Sequence, residues 1–351
     1  MKKVVIMAMV GILLLSVFTV FLPVKTCKAA SGNTLYVGGS GPGNYSSIRS
    51  AIGAASEGDT VFVCNGTYYE NVVVNKTVNL AGENKETTIV DGGGWFGFGY
   101  VFKVTANRVN ISGFTIKNST TTYDPADSVL GLGVGIIISA NNTTVLGNII
   151  TENTFGISIE NSFNNKVTTN IILNNGDGIG LLESSENIIE NNVITDHNRN
   201  FQAWGQSFNN GVSIMYNAYN NTIVNNTISN NSGIGIHLSY LCENNSIYYN
   251  NFINNSENVN DSCNNNSWDN GQYGNYWDDY NGTDVNGDGI GDTPYNISGG
   301  NNKDKHPIMK IDGRRVEPTT KKEGDKTPGF ELILFVCAIA LVLLWRRKRI
   351  N

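Results

Sequence analysis

The chain has 351 residues, is rich in asparagine and glycine, and carries a net charge of −6 at pH 7. With no basic stripe between its termini, it is a poor candidate for binding nucleic acid. Its length would allow two average domains, but the repetition described below predicts one long domain, because a solenoid has no single-core size limit.

Lys2 and Lys3 precede an apolar run over 4–22, and Cys27, Lys28, Ala29 and Ala30 follow before the sequence turns polar. This pattern predicts a secretory signal peptide over residues 1–30, cleaved near Ala29 or Ala30, with an uncleaved anchor as the alternative. Lys25 spoils the lipid-attachment pattern around Cys27.

Residues 31–311 are expected to form the folded domain. Thr34, Leu35, Tyr36 and Val37 read as a first strand, followed by a glycine-rich turn over 38–43. Ile48, Ala51, Ile52 and Ala55 fall at helical spacing, with Ser46 or Ser47 as N-cap and Gly58 past the end. A short capping helix here would cover the open bottom of a stack of strands. Apolar words at 61–64, 72–74, 78–80, 88–90, 101–104, 109–111 and 114–116 predict the first rungs, separated by Asn-Gly and Gly-Glu turns. Cys64 is expected to be a buried, inert thiol.

From 133 to 256 the sequence repeats about every 22 residues. Each copy begins with glycine and two alternate apolar residues, as in Gly156, Ile157 and Ile159, or Gly178, Ile179 and Leu181. A second column holds Val145, Val167, Ile189, Ile223 and Tyr248, and a third Ile150, Ile172, Ile194, Ile228 and Ile253. Two residues before the third column stand Asn148, Asn170, Asn192, Asn226 and Asn251. Strands this short cannot bury a core as isolated hairpins, whereas copies stacked one strand spacing (~4.8 Å) apart enclose one between three parallel sheets. The predicted fold is therefore all-β, a right-handed parallel β-helix with rungs of about 22 residues and a short N-terminal capping helix. The recurrent asparagine suits the turns, where it tolerates left-handed backbone and can bond to its counterpart one rung away. A leucine-rich repeat lacks its Leu-x-x-Leu-x-Leu phrase here, and regular β-branched columns argue against a disordered tract.

Two loops interrupt the period, 118–131 with Tyr123, Asp124 and Asp127, and 199–209 with Phe201, Trp204 and Gln206. Insertions in repeat proteins often build the binding face. Tyr123, Phe201 and Trp204 are thus the candidate ligand-binding residues, suited to stacking on sugar rings; the alternative is that the loops pack their own aromatics against the flank. Cys242 and Cys263 occupy equivalent places one rung apart, close enough for a disulfide.

The final element runs through Gly274, Asn275, Tyr276 and Trp277 into an aspartate- and glycine-rich segment, forming a cap over 274–311. Oxygen side chains at alternate positions suit a hard cation, so Asp284, Asn286, Asp288 and Asp292, with the Ile290 carbonyl, are candidate ligands for a structural Ca²⁺. The alternative is an Asp/Gly turn that closes the stack.

A charged linker over 312–327 leads to Pro328, Gly329 and Phe330, then an apolar run and the basic cluster 346–349. The tail over 328–351 resembles the archaeal PGF-CTERM sorting signal, which implies processing and attachment at the cell surface; a plain tail anchor is the alternative. About sixteen Asn-x-Ser/Thr sequons, among them Asn65, Asn75, Asn110, Asn225 and Asn281, are compatible with glycosylation of an exported protein.

The stretches Leu35–Gly39, with Asn44 and Tyr45, then 58–61, the asparagine-rich rungs, and 274–277 leading into 288–295 resemble archaeal NosD-type β-helix proteins, a group also described as the carbohydrate-binding and sugar-hydrolase repeat class. The resemblance spans nearly all of the chain between the targeting segments and is specific for fold. It implies a role in maturing a copper site, which needs clustered His, Met or Cys. Here His197, His237 and His306 are scattered, Met215 and Met309 stand apart, and His237 is expected to point outward at the surface.

Three functions remain in view. The favoured one is a surface protein, exposed outside the cell membrane and attached through its C-terminal segment, that binds polysaccharide or envelope glycan without chemistry. A polysaccharide lyase or glycoside hydrolase needs clustered carboxylates. Glu160, Asp177, Glu183, Asp196 and His197 are available but share no outward column; Asp177, Asp196 and Trp204 could converge across rungs, and Asp177, Asp196 and His197 are the catalytic candidates. The third is the copper-site accessory role that the resemblance implies.

Overall fold

The computed structural model describes residues 33–93, 99–119, 122–124, 129–131, 133–199, 201–203 and 206–311. The expected signal peptide, linker and tail lie outside the described residues. Short strands stack into three parallel sheets that the chain visits in turn. The first sheet has nine strands, from Thr34–Val37 to Ser246–Tyr248; the second has nine, from Gly66–Tyr69 to Tyr276–Trp277; the third has eight, from Val72–Val74 to Glu257–Asp261. Equivalent residues pair in register: Val145 sits between Ile111 and Val167, and Ile150 between Ile116 and Ile172. This is a right-handed parallel β-helix, and its inward columns form one continuous apolar core.

The corners explain the asparagines, and they divide them into two kinds. At each corner an exposed or half-exposed residue takes left-handed backbone, as Asn191 (φ 55°) and Asn225 (φ 56°) do. The next residue turns its side chain into the stack. In the corner between the first and second sheets that inward residue is Asn148, Asn170, Asn192, Asn226, Asn250 or Asn275, each almost fully buried. Each amide oxygen accepts from the backbone N–H of the asparagine one rung below, and each amide nitrogen donates to a carbonyl of that rung: Asn170 N–H reaches Asn192 Oδ1 at 2.9 Å, and Asn192 Nδ2 reaches Val167 O at 2.9 Å. A second ladder runs through Asn165, Asn187, Asn221, Asn245 and Asn266. A third runs through Asn153, Asn175, His197, Asn231 and Asn255. The sequence reading gave one residue both tasks; the structure gives left-handed backbone to one asparagine and the ladder to its neighbour.

The last rung corrects the expected register by one residue. Ile247, Phe252 and Asn250 point inward, whereas Tyr248, Ile253 and Asn251 are half-exposed. Adjacent apolar residues allow either register, and a slip of one residue flips every side chain. The buried Asn250, bonded to Asn226 and Asn275, fixes the choice. Gly66–Tyr69, after Asn65, is a strand rather than part of a turn.

The repeated glycine answers to close approach. A Cβ on Gly156 would come within 2.5 Å of the Gly178 carbonyl oxygen and 2.9 Å of Ile172 in the core. Side chains on both sides of this glycine can then depart from simple alternation, with Ile234 and His237 half-exposed while Ile236 and Leu238 are buried.

Both ends are closed. The helix Ile48–Ala54 buries Ile48, Ala51 and Ile52, with Ser47 as its N-cap. Glu70 accepts from the N–H groups of Ile48 and Arg49, and Lys76 donates to the carbonyls of Gly53 and Ala55, so opposite charges sit where the helix dipole favours them. The C-cap is Ala55, and Gly58 lies beyond it in a separate turn. At the other end all three ladders finish on carboxylates. Asn266 donates to Asp261, Asn275 N–H donates to Asp304, and Asn255 reaches Asp278 and Asp279 through Asn258. Trp268 and Trp277 donate their indole N–H groups to Asp261 and Asp304. Trp277 stacks between Phe252 and Tyr295, at 4.3 and 4.2 Å between ring centroids.

Asn192→Ala leaves two buried donors of Asn170 without their acceptor and is expected to cost about 2–5 kcal/mol. Asn191→Gly relieves left-handed strain and should be neutral or slightly stabilising. Denaturant midpoints of the two variants test this; similar losses at both positions would sink the division of labour between neighbouring asparagines.

Candidate functional site

The outer face of the third sheet carries a cleft of about 600 Å³, lined by Asp177, Asn210, Ser213, Met215, Gly233, Ile234, His237, Ser239, Tyr240 and Ser262. Register explains the gathering: Ser213 pairs with His237 and Met215 with Ser239 on adjacent strands, while Asp177 precedes Gly178 one rung below. Asp177 is almost fully buried, its Oδ1 accepting from Asn210 N–H at 2.9 Å and its Oδ2 from the Ser213 hydroxyl at 2.9 Å. Burial pushes its pKa up to about 6, against the pull of these two donors. His237 is half-buried at the same cleft, and burial lowers its pKa although Glu257 and Asp261 act to raise it.

An aromatic rim adjoins the cleft. Tyr240 and Tyr216 are exposed and stack with centroids 4.9 Å apart and planes 8° from parallel. Both hold left-handed backbone, Tyr216 at φ 55° and Tyr240 at φ 60°. That conformation is costly for a bulky residue and tends to persist at functional positions. Sequence reasoning missed this pair because the residue type at this corner changes from rung to rung, with Glu183 and Asn161 in the same left-handed place below. The signal was available: tyrosine at the same corner place on consecutive rungs.

The predicted catalytic candidates do not form one site. Asp196 is a left-handed corner residue (φ 58°), and His197 takes the next ladder position in place of asparagine. Its Nδ1 accepts from Asn175 N–H at 3.2 Å, which puts the ring proton on Nε2. Nε2 is buried without a hydrogen-bond partner, and a methyl on Gly178 would come within 2.6 Å of it. Burial lowers the His197 pKa to about 3. Asp177 and His197 thus lie on opposite sides of Gly178, one toward the cleft and one toward the core. Glu160 bonds to Ser158, and Glu183 is another left-handed corner residue.

Tyr123 falls in the hairpin Thr122–Asp124 with Val129–Gly131, and Phe201 in the hairpin Phe201–Ala203 with Gln206–Phe208. Both hairpins arise where the chain passes from the second sheet to the third. The side chains of Tyr123 and Phe201, and all of Trp204, lie outside the described residues.

The expected disulfide is corrected: Cys242 and Cys263 are free, buried thiols. Cys242 N–H donates to Cys263 Sγ at 3.2 Å, so the two stack as predicted but the sulfur serves as an acceptor. Burial pushes the Cys242 thiol up to about 12. Cys64, expected as an inert thiol, is disulfide-bonded.

In the segment 284–292, Asp284 accepts from the N–H groups of Gly287, Asp288 and Gly289, Asp288 from Ile290, and Asp292 from Val285. Asn286 donates to Asp288. Among the described residues no three His, Cys, Asp or Glu side chains stand together as a metal site. The candidate Ca²⁺ ligands Asp284, Asn286, Asp288, Ile290 and Asp292 form a self-bonded turn.

Comparison with known proteins places this geometry in context. The profile of the NosD family, described as "Periplasmic copper-binding protein (NosD)", matches residues 52–282. A probable ABC transporter binding protein NosD from Stutzerimonas stutzeri is 42% identical over 82 residues, 23% of this chain and 19% of that protein. The match therefore spans about a fifth of the curated relative's length. Among solved structures, pectate lyase Pel9A is 16% identical, with 69% of this chain and 81% of that chain covered and a TM-score of 0.43. Pectin methylesterase PemA from Erwinia chrysanthemi is 9% identical, with 68% and 93% covered and a TM-score of 0.42. No chemistry is carried over from these likenesses.

Copper sites gather imidazole, thioether and thiolate donors. In the cleft His237 and Met215 are the only lining residues of these kinds. His197 is committed to the ladder, and His306 faces Asp269 at 3.2 Å. The described residues do not fit a copper centre.

His197→Asn should restore an all-asparagine ladder and keep or raise the denaturation midpoint, whereas His197→Ala should lower the midpoint, with a loss of about 1–3 kcal/mol in stability through the orphaned Asn175 N–H. His197 has a lowered folded-state pKa, so the unfolded chain binds the proton first. Its contribution is complete above the unfolded value of about 6.5 and is lost as pH falls toward about 3. Asp177 and Asp304 run the other way: their pKa values are raised to about 6, so the stability they add is complete below 3.8 and lost as pH rises through about 6. The wild type minus His197→Asn difference isolates the histidine, and a difference flat between pH 6.5 and 4 would contradict its buried, neutral state. If the 284–292 turn binds Ca²⁺, the thermal midpoint should be higher in Ca²⁺ than in EDTA, whereas equal midpoints would leave it as an Asp/Gly turn that closes the stack.

Proposed function

The chain belongs to the NosD family of β-helix proteins, and from that membership we propose that it is exported, held at the outer face of the cell membrane, and binds glycan or another envelope component without catalysis. The observation that carries this reading is the cleft on the third sheet, with its stacked Tyr216–Tyr240 rim. Sugar rings present apolar faces to aromatic planes and hydroxyls to polar groups, and the cleft offers both. Ser213, Ser239, His237 and Asn210 supply donors and acceptors, and Tyr240 stands at the edge. The hairpins at the corner between the second and third sheets extend the face available to a polymer, and Tyr123, Phe201 and Trp204 are proposed to contribute there. Export rests on the predicted signal peptide over 1–30 together with the family's description as periplasmic. Attachment rests on the tail over 328–351.

The non-catalytic part rests on Asp177. It is the one carboxylate lining the cleft, and both its oxygens are engaged by Asn210 and Ser213. Glycoside hydrolysis uses two carboxyl groups about 5–9.5 Å apart across the scissile bond. Family membership favours a second reading, an accessory role in copper-site maturation. In that case the β-helix would serve as a docking surface, with the metal held by a partner.

A glycan array probed with the segment 31–311 tests the first reading. Tyr240→Ala is expected to weaken binding about three- to tenfold while leaving the fold intact. New reducing ends or unsaturated products from a bound polysaccharide would overturn the non-catalytic assignment. Stoichiometric copper retained by the purified segment would favour the second reading in a form the described residues do not support.

A further inference from the structure

We propose that N-linked glycans are carried on the left-handed corner asparagines Asn142 and Asn225 and on the column Asn220, Asn244 and Asn265. This inference rests on the export reading above and on the register of the rungs. Each of these residues begins an Asn-x-Ser/Thr sequon, is exposed, and has φ between 56° and 60°. The geometry separates acceptors from non-acceptors. In the ladders on either side of the first sheet, a ladder asparagine is followed two residues later by an inward core residue, as Asn192 is by Ile194, Asn226 by Ile228 and Asn245 by Ile247, so no sequon can start there without breaking the core. The preceding left-handed asparagine is followed two residues later by the outward first residue of a strand. Thr144, Thr222, Thr227 and Ser246 stand there, half-exposed. At these two corners the fold thus directs the sequon to the exposed, left-handed asparagine rather than to its ladder neighbour.

Other sequons have acceptors already engaged. Asn110 Nδ2 donates to Asn79 at 2.7 Å, Asn118 Nδ2 to Asp91 at 2.9 Å, and Asn44 Nδ2 to the Gly38 carbonyl. These three are half-buried, and a sugar on the nitrogen would displace the bond. The transfer joins the Asn225 amide nitrogen to the anomeric carbon of a lipid-phosphate-linked or lipid-pyrophosphate-linked oligosaccharide. The bond from that carbon to the phosphate oxygen breaks, and the amide loses one proton as the lipid phosphate leaves. In the column, neighbours are only one rung (~4.8 Å) apart, so adjacent acceptors compete.

The test uses the full chain purified from its own host, with glycopeptide mass spectrometry and protease shaving of intact cells. Oligosaccharide is expected on Asn142, Asn225 and at least one of the column, and none on Asn44, Asn110 or Asn118. Thr227→Ala, which leaves Asn225 and its backbone in place, should remove one glycan mass. A protein accessible to protease but bare at these sites, or glycosylated at Asn110 or Asn118 instead, overturns the inference. A protein protected inside the cell overturns the export reading on which it rests.

Discussion

The structure depends on one interaction, the side-chain amide that bonds to the rung below and the rung above. A parallel β-helix turns sharply three times per rung, and backbone polar groups at each turn face inward, where water cannot satisfy them. An amide is suited to this because it donates and accepts at once, so a single residue repeated at the rung spacing satisfies its own copy. The ladder between the first and second sheets is buried along its whole length, from Asn148 to Asn275. A carboxylate only accepts, so it ends such a chain rather than extending it. Asp261 and Asp304 do this, each also accepting a tryptophan indole N–H, and Asp304 holds Asn275, Trp277 and His306 N–H together. The cap is therefore as much a chemical terminus as a steric lid.

This logic explains how much could be read from the sequence. The apolar columns and the recurrent asparagine carry the β-helix directly, because an inward position must be apolar or self-complementary on every rung. The division between Asn191 and Asn192 was hidden because the same residue type serves two purposes side by side, once for left-handed backbone and once for its amide. His197 was misleading for the opposite reason. An isolated histidine beside an aspartate suggests chemistry, yet Asp196 and His197 fill the same two places as Asn174 and Asn175 one rung below. Reading residues by rung position rather than by type resolves both cases.

The candidate site was less legible because outward columns are not constrained by the ladder. Asp177, Ser213 and His237 come from three rungs separated by an inserted hairpin, and the period breaks where they must be aligned. The kink at the glycine column hides the site further. Asp177 has the same strand parity as the inward Ile179 and Leu181, and simple alternation would put it in the core. It reaches the cleft because Gly178, lacking a Cβ, lets the strand turn one extra side chain outward.

Asp177 also shows where this surface departs from what the fold requires. Its column holds Phe155 one rung below and Asn210 above, so neither the ladder nor the core needs a carboxylate there. Burying one raises its pKa to about 6, a cost in stability near neutral pH that no ladder contact offsets. Natural sequences break local consistency mainly where function demands it. The strained tyrosines at the rim break the same rule on the neighbouring corner, with left-handed backbone at Tyr216 and Tyr240 where asparagine would serve. Two unrelated departures, one electrostatic and one conformational, meet at a single cleft, and a purely structural rung would need neither.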